Sequence, residues 1–319
     1  MHAPSAVAAR LTPLSDRDKL GIRVEGLHEV NKTWIKAMRK LPRGAKSRGL
    51  SAPKIVPRLA FEVSPQNAFE VLTTESDETI RSIVRMCEKR GFDGVVLEAW
   101  SQWVAMQLTS VPAAREAALD FVRRLATALG ASTTRKGQPK ELLFVIPPAP
   151  SAPGNAPRAS SAFAWPELQE FHELLGGVSL MTYDYSAGTG GPQPNAPLKW
   201  VEDCLGSLLP PGDAALAAAP KVLMGLNFYG RLFTPKEMRP IVAHELSDLL
   251  EEGGSSVKVR WSVEHEEHEF EFSKNGERHV AYFPTLKSIQ VRLDEARRWG
   301  AGVSIWELGQ GFDSFFDLL

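Results

Sequence analysis

Six short, continuously apolar runs alternate with stretches of helical periodicity between residue 55 and residue 319. Runs of Val, Ile, Leu and aromatic residues without polar alternation are typical of strands that are buried on both faces, as in a parallel sheet. The repeated order of strand, helix and strand therefore predicts an α/β fold with a parallel sheet. The predicted strands are residues 55–63, 94–100, 141–146, 178–185, 221–229 and 302–308. The predicted helices are residues 77–89, 113–129, 165–175, 198–208, 241–250 and 286–299.

Two segments interrupt this rhythm. Residues 147–158 are rich in Pro, Ala and Ser, which predicts a loop after the third strand. Residues 257–283 alternate polar with apolar and aromatic side chains, which predicts a small antiparallel insertion before the last helix.

The first 54 residues fit the pattern poorly. Residues 1–21 are expected to be irregular, residues 21–24 form a weak strand candidate, and residues 25–40 form one helix. A closed (β/α)₈ barrel takes roughly 250 residues, so a chain of 319 residues accommodates one such domain. Because only six clear strands are found, either the barrel formed by residues 22–319 lacks its first two strands, which we expect, or irregular segments take their place.

Composition and charge exclude several classes of function. The net charge of −1 argues against binding to nucleic acid or to an acidic membrane surface. No apolar run approaches about 18 residues, so no membrane span is predicted, and the first ten residues lack the apolar centre of a secretory signal. Two cysteines, Cys87 and Cys204, are too few for a disulfide framework and are predicted to be buried thiols.

No cofactor or metal is predicted. The chain contains neither a phosphate-binding loop nor a dinucleotide-binding glycine motif. His265 and His268 lie among glutamates, but on a strand they would face opposite sides. We therefore interpret this segment as a charged hairpin near a cleft rim.

The candidate functional residues lie at the ends of the predicted strands. In the segment Gly-Phe-Asp-Gly-Val-Val-Leu-Glu-Ala-Trp, residues 91–100, the period of two places Val96, Glu98 and Trp100 on one inward face if the strand continues. Later strands end in Met-Thr-Tyr-Asp-Tyr (residues 181–185), Gly-Leu-Asn-Phe-Tyr-Gly (residues 225–230) and Gly-Val-Ser-Ile-Trp-Glu-Leu-Gly (residues 302–309). Active sites of parallel barrels form at these C-terminal strand ends.

Taken in order, these motifs resemble those of the glycoside hydrolase family 18 chitinases. Residues 24–28, 194–200, 282–288 and 305–311 resemble the chitinase-domain-containing branch of that family, and the resemblance covers roughly residues 22–319. It implies a (β/α)₈ TIM barrel of the chitinase type. It also implies a saccharide ligand, in a branch described as chitinase-like and secreted or lysosomal.

The resemblance assigns a role to each matching position. The fourth-strand signature of the family is Asp-Gly-x-Asp-x-Asp-x-Glu, and here Asp93 and Gly94 match its start. Glu98 stands at the third aspartate and Trp100 at the glutamate that acts as general acid. An indole N–H is not acidic enough to protonate a glycosidic oxygen, so no catalytic residue is predicted.

The sequence therefore predicts a chitinase-like protein that binds chitin oligomers or related glycans without hydrolysing them. Trp306 matches the tryptophan that lies under the sugar in the family, because an aromatic face suits the apolar face of a pyranose. Tyr183 and Asp184 match residues that hold the sugar acetamide, and Asn227 replaces a proline. Trp103 is expected to extend the aromatic wall. The predicted lining residues are Glu98, Trp100, Met181, Tyr183, Asp184, Asn227, Tyr229 and Trp306.

Two other hypotheses remain open. In the first, the chain is a weak glycosidase that uses Glu98 or Asp184. In the second, it is a protein-interaction scaffold in which Trp100 fills the cleft. The candidate partners are an N-acetylglucosamine-containing oligosaccharide and, second, a protein receptor. The resemblance implies secretion or an endomembrane compartment, although the sequence shows no signal peptide.

Overall fold

The computed structural model describes residues 8–13, 22–25, 32–40, 52–61, 63–149, 162–188, 191–274 and 276–319. A sheet of eight strands forms its centre. These are β1 (Ala8–Pro13), β2 (Ile22–Glu25), β3 (Arg58–Phe61), β4 (Gly94–Glu98), β5 (Glu141–Ile146), β6 (Gly177–Leu180), β7 (Val222–Asn227) and, last in the chain, β13 (Gly302–Trp306). Their order is β13-β7-β6-β5-β4-β3-β1-β2.

Seven of the eight strands are parallel, and only β2 runs antiparallel to its neighbour. Helices pack around the sheet: α1 (Lys32–Met38), α2 (Pro65–Leu72), α3 (Ser76–Arg90), α4 (Trp100–Ala105), α5 (Pro112–Ala131), α6 (Trp165–Phe171), α7 (Leu198–Leu208), α8 (Asp213–Ala218), α9 (Ala243–Gly253) and α10 (Leu286–Trp299). Short 3₁₀ turns cover Leu108–Ser110, Tyr185–Gly188, Ala219–Lys221, Gly254–Ser256 and Asp313–Leu318. The architecture is that of a (β/α) barrel-like fold with a mainly parallel sheet, as predicted.

All six predicted strands and most predicted helices are present. The bounds of β5, α7 and α10 coincide with the prediction. The end of β4 does not, since the strand stops at Glu98 and helix α4 begins at Trp100. Likewise β6 ends at Leu180 rather than continuing to residue 185.

The expectation for the N-terminal region needs correction. Residues 8–13, which were expected to be irregular, form β1, which pairs in parallel with β3. The fold therefore has one more barrel-type strand than the sequence predicted. The segment Ala-Ala-Arg-Leu-Thr-Pro carries little β-propensity of its own, so pairing with β3 defines it. The weak strand candidate at residues 21–24 is confirmed as β2.

The predicted helix at residues 25–40 is shorter than expected. Glu25 belongs to β2, and α1 spans only Lys32–Met38, while residues 26–31 lie outside the described residues. Most of the predicted loop at residues 147–158 also lies outside them.

The insertion is larger than residues 257–283. A five-stranded antiparallel sheet begins directly after β7 and contains β8 (Gly230–Phe233), β9 (Met238–Ile241), β10 (Lys258–Ser262), β11 (Glu267–Lys274) and β12 (Glu277–Phe283), in the order β10-β11-β12-β8-β9. The predicted helix at residues 241–250 is α9, which lies inside the insertion, between β9 and β10. The sequence analysis did not predict β8 (Gly-Arg-Leu-Phe) and β9 (Met-Arg-Pro-Ile), because arginine and proline interrupt the apolar run in these short strands.

The core lies between the sheet and the helices. On β4, Val95 and Leu97 are fully buried, whereas Val96 and Glu98 on the opposite face are half-buried. This alternation directs Glu98 into the interior enclosed by the curved sheet. Cys87 and Cys204 are buried free thiols, as predicted. No helix in the described part of the chain is long and apolar enough to cross a membrane.

Candidate functional site

The C-terminal ends of β4, β6, β7 and β13 converge on one interior region. Strand register places Trp306 beside Asn227, at the ends of β13 and β7. One layer below, the hydroxyls of Ser179 and Ser304 lie 2.9 Å apart, which shows that β6 and β13 project side chains into the same space. We define the cleft as the region above this layer.

Glu98 is the last residue of β4 and faces the cleft. Both of its carboxylate oxygens accept hydrogen bonds from Arg58, from Nε at 2.5 Å and from Nη2 at 2.7 Å. The two side chains are 23% and 27% exposed, so solvent reaches the pair. Arg58, the first residue of β3, pairs in register with Val96, which lies two residues before Glu98 on the same face of β4. The Arg58 side chain therefore extends towards Glu98 from the neighbouring inward position.

Arg58 also contacts the predicted platform. Its guanidinium carbon lies 5.4 Å from the ring centroid of Trp306, within the range of a cation–π interaction. Trp306 is half-buried, and its carbonyl accepts a hydrogen bond from the Phe228 amide at 2.8 Å. The peptide bond between Trp306 and Glu307 is cis. Arg58 thus joins Glu98 and Trp306 across the floor of the cleft.

Tyr183 projects into the cleft between these groups. Burial, together with the charges of Glu98 and Asp184, raises the pKa of its phenol, while Arg58 opposes this effect. The phenol therefore remains protonated and can donate a hydrogen bond at neutral pH. Gly225 gives it room, because a Cβ there would lie 2.8 Å from Cε1 of Tyr183.

Asp184 turns away from Tyr183 and towards the insertion. Its backbone has φ of 66°, a left-handed conformation that Asp tolerates better than most residues. The Asp184 amide donates to Oδ1 of buried Asn195 at 3.0 Å, which stabilises this conformation. Its carboxylate accepts hydrogen bonds from the Tyr229 hydroxyl and from Arg231, and it remains 42% exposed.

Tyr229 and Asn227 are more buried than the sequence predicted. The Tyr229 ring packs edge-on against Tyr183, with centroids 6.2 Å apart, and Tyr229 is only 6% exposed. Burial and Asp184 raise the pKa of the Tyr229 phenol. The Asn227 amide nitrogen donates to the Tyr229 carbonyl at 2.8 Å, so it stabilises the turn after β7. Met181 is half-buried at the end of β6.

The positions predicted for Trp100 and Trp103 are wrong. Ala99 leaves the extended conformation, with φ of −136° and ψ of −29°, and Trp100 becomes the first residue of α4. Both tryptophans are fully buried, outside the cleft. The Trp100 ring packs against Trp103, Phe144 and Phe163 at centroid distances of 5.5–6.0 Å. Trp100 therefore neither lines nor fills the cleft.

The Asp-Gly pair of the β4 motif is structural. Asp93 accepts hydrogen bonds from the Ile55 amide and from Arg39, both at 2.8 Å, at the start of β4. A Cβ on Gly94 would lie 2.0 Å from the Glu141 carbonyl oxygen. Only glycine allows β4 and β5 to approach so closely.

Sequence reasoning missed three residues of the site. Arg58 is one of two charged residues, with Glu62, in the predicted strand at residues 55–63, and Arg231 directly follows the Gly-Leu-Asn-Phe-Tyr-Gly motif. Asn195 lies in the segment at residues 194–200 that had suggested the family. The available signal was a charged residue, Arg58, in a mostly apolar strand, because charged residues are rarely buried without a partner.

The cleft holds no arrangement typical of a metal site. In the described residues, no group of three or more His, Cys, Asp or Glu side chains is placed to hold a metal ion. His268 instead contacts Thr285, with 2.9 Å between Nδ1 and Oγ1. An aromatic platform, a phenol donor and two ion-paired carboxylates are the groups available to a ligand.

The fold and the cleft place the chain among chitinase-type barrel proteins. The family model for glycosyl hydrolases family 18 matches residues 64–311. The chain belongs to that family.

The chain is similar to a lytic enzyme and to chitinases. The chain is 25% identical to the cortical fragment-lytic enzyme of Bacillus subtilis over 167 residues, which cover 49% of the chain and 37% of that enzyme. It therefore spans well under half of this relative. A class V chitinase from Pseudomonas fluorescens has a similar fold, with a TM-score of 0.69, 19% identity and coverage of 98% of this chain and 89% of that one. A Cycas revoluta chitinase in complex with (GlcNAc)₃ has a TM-score of 0.64, 14% identity and coverage of 86% and 85%.

Proposed function

We propose that the chain binds N-acetylglucosamine-containing oligosaccharides in the cleft and does not hydrolyse them. Family membership and the ligand in the Cycas revoluta structure support the choice of glycan. Trp306 offers an aromatic face for a pyranose ring, and Tyr183 and Asp184 offer a donor and an acceptor beside it. This is the carbohydrate-binding function expected of the chitinase-domain-containing branch.

The pairing of Glu98 with Arg58 carries the proposal that hydrolysis is absent. A general acid must hold a proton and reach the glycosidic oxygen at about 3 Å. Glu98 is the last carboxylate on β4, and both of its oxygens already accept from a guanidinium. Both oxygens thus act as hydrogen-bond acceptors towards Arg58, which is not the arrangement of a group that donates a proton to a substrate. The residue that aligns with the family's acid, Trp100, lies in the hydrophobic core.

Titration of chitotetraose into the protein in a calorimeter tests the binding. We expect measurable binding that is lost in Trp306→Ala. Trp299→Ala is a matched control, because Trp299 ends α10 just before β13 starts and therefore lies at the opposite end of that strand from Trp306. Absence of binding heat from a folded sample would contradict the proposal and favour the scaffold hypothesis.

The names of the relatives favour one alternative, a weak hydrolase that uses Glu98. Prolonged incubation with chitotetraose, followed by chromatography of the products, separates the two. We expect no shorter oligomers from the wild-type protein. Turnover that disappears in Glu98→Gln would establish the hydrolase instead.

A further inference from the structure

We propose that Arg58 is a positioning residue that fixes Trp306 as the glycan platform and Glu98 as a hydrogen-bond acceptor. The choice of a glycan as the ligand rests on the proposed function. The positioning of Trp306 and Glu98 by Arg58 does not depend on it. Arg58 need not touch the sugar. Its role is to hold two groups that do.

The first step of the argument concerns the strand that carries Trp306. Within the described residues, β13 pairs only with β7 and lies at one end of the sheet order. All five residues of β13 are half-buried, whereas the inner strands β4, β5, β6 and β7 each contain fully buried residues. The orientation of Trp306, in a strand without a fully buried residue, therefore depends more on individual side-chain contacts than that of a residue in the buried inner strands.

The second step concerns what supplies such a contact. Arg58 approaches the Trp306 ring at 5.4 Å from β3, which lies five places away from β13 in the sheet. It starts one inward position below Glu98 and so comes from the floor side of the cleft. A planar guanidinium can pack against an aromatic ring while its edge donates to a carboxylate, which an ammonium cannot do in the same way.

The third step concerns Glu98. Two hydrogen bonds of 2.5 and 2.7 Å in a fork geometry fix the carboxylate plane more strictly than a single contact. Both oxygens retain lone pairs, so a sugar hydroxyl or amide can still donate to them. The positive charge of Arg58 offsets the negative charge of Glu98. This part of the cleft therefore favours a neutral glycan over an anionic one.

The chain contains a matched control for this arrangement. Arg115 also contacts a carboxylate, with Nη2 2.5 Å from Glu167, and also packs on a tryptophan, with its guanidinium carbon 5.2 Å from the Trp100 ring. The Arg115 pair is similarly half-buried but lies in the helical layer, away from the cleft. Substitutions of Arg58 and Arg115 therefore remove the same chemistry at two places.

The experiment labels the protein with 5-fluorotryptophan and records ¹⁹F spectra without ligand, using Trp306→Phe to assign the Trp306 resonance. Arg58→Met is expected to shift and broaden that resonance and to leave the Trp299 resonance unchanged. Arg58→Lys is expected to do the same to a smaller degree, and it keeps the charge if Arg58→Met fails to fold. Arg115→Met should leave the Trp306 resonance unchanged.

Calorimetry with chitotetraose supplies the second measurement. We expect Arg58→Met to weaken binding about tenfold, between the effects typical of exposed and of desolvated cation–π contacts, and Arg115→Met to leave affinity unchanged. An unaltered Trp306 resonance and unaltered affinity in Arg58→Met would overturn the inference. If the wild-type protein binds no chitotetraose, the proposed function fails, whereas a Trp306 resonance that responds to Arg58→Met still supports the positioning role.

Discussion

The hydroxyl of Tyr229 donates a hydrogen bond to the carboxylate of Asp184, and this contact joins the segments that follow β7 and β6. Arg231, the second residue of the insertion, donates to the same oxygen of Asp184. The insertion is thus attached to the barrel at the cleft itself. A ligand that contacts Asp184 meets a carboxylate whose position both parts of the fold determine.

Replacing Tyr229 with Phe is expected to lower glycan affinity. The substitution removes one donor to Asp184 and leaves Arg231 as its remaining partner, at a stability cost of about 1 kcal/mol. Tyr282→Phe is the matched control, because its hydroxyl donates a hydrogen bond to Glu269 at 2.8 Å on the insertion sheet and not to Asp184, although Tyr282 pairs in register with Arg231. Urea unfolding should show similar losses for both variants, and calorimetry a weaker glycan affinity only for Tyr229→Phe. Equal affinities would show that Asp184 does not depend on this contact.

Restoring a glutamate at the family's catalytic position is expected to fail. Trp100→Glu places a carboxyl among Trp103, Phe144 and Phe163, all fully buried, instead of in the cleft. We expect a loss of stability of at least about 3 kcal/mol and no release of shorter chitin oligomers. Thermal unfolding and product chromatography check the two parts. Hydrolysis by Trp100→Glu would mean that residue 100 faces the cleft after all.

The limits of sequence reasoning here have physical causes. The bounds of β5, α7 and α10 were predictable because each carries its own periodicity. Trp100 was misplaced because the end of β4 is decided by an aromatic cluster whose members Phe144 and Phe163 lie more than 40 residues further along the chain. A local alternation pattern contains no information about such packing.

The residues of the candidate site likewise divide into those that could be predicted from local sequence and one that could not. Glu98, Tyr183, Asp184 and Trp306 were predicted because they lie in motifs near strand ends that resemble those of the family. Arg58 was missed because its partner is 40 positions away and is reached only when β3 and β4 pair. The predicted residues lie in recognisable motifs, whereas Arg58 lies outside every motif, in an apolar run that contains a second charged residue, Glu62.

Removing the charge of Glu267 is expected to destabilise the fold strongly. Glu267 on β11 and Arg292 on α10 lie 2.9 Å apart and are about 5% exposed. Glu267 also accepts from the amides of Asn195 and Ala196 at 3.0 and 2.8 Å. Burial lowers the pKa of Arg292, and Glu267 opposes this effect, so Glu267→Gln leaves a buried charge without its counter-ion.

We expect Glu267→Gln to cost about 3–5 kcal/mol, measured by urea unfolding. Asp203→Asn is the control, because its pair with Lys199 at 2.5 Å is exposed on α7 and should cost less than about 1 kcal/mol. Comparable losses in the two variants would show that the buried pair contributes no more than a surface one.

Stability is expected to fall as the pH rises above about 9, because two buried thiols resist ionisation. Burial raises the pKa of Cys87 from 9.0 to about 12 and raises that of Cys204 as well. Above pH 9 the unfolded chain releases these protons and the folded chain retains them, so the free energy of unfolding decreases with pH. Each thiol contributes a slope of about 1.4 kcal/mol per pH unit between its unfolded and folded pKa values.

Urea unfolding at pH 8 and pH 9.5, in a reducing agent, measures this loss. Cys87→Ala removes one of the two thiols and is expected to make the pH dependence shallower by the contribution of that thiol, whatever the substitution costs at pH 8. The raised pKa values of Tyr183 and Tyr229 act in the same direction only as the pH approaches 10 and beyond, because unfolded tyrosine ionises near pH 10. The difference between wild type and Cys87→Ala is therefore best measured between pH 8 and pH 9.5. If the free energy of unfolding had the same slope with pH in both proteins, the Cys87 thiol would ionise in the folded protein as easily as in the unfolded one.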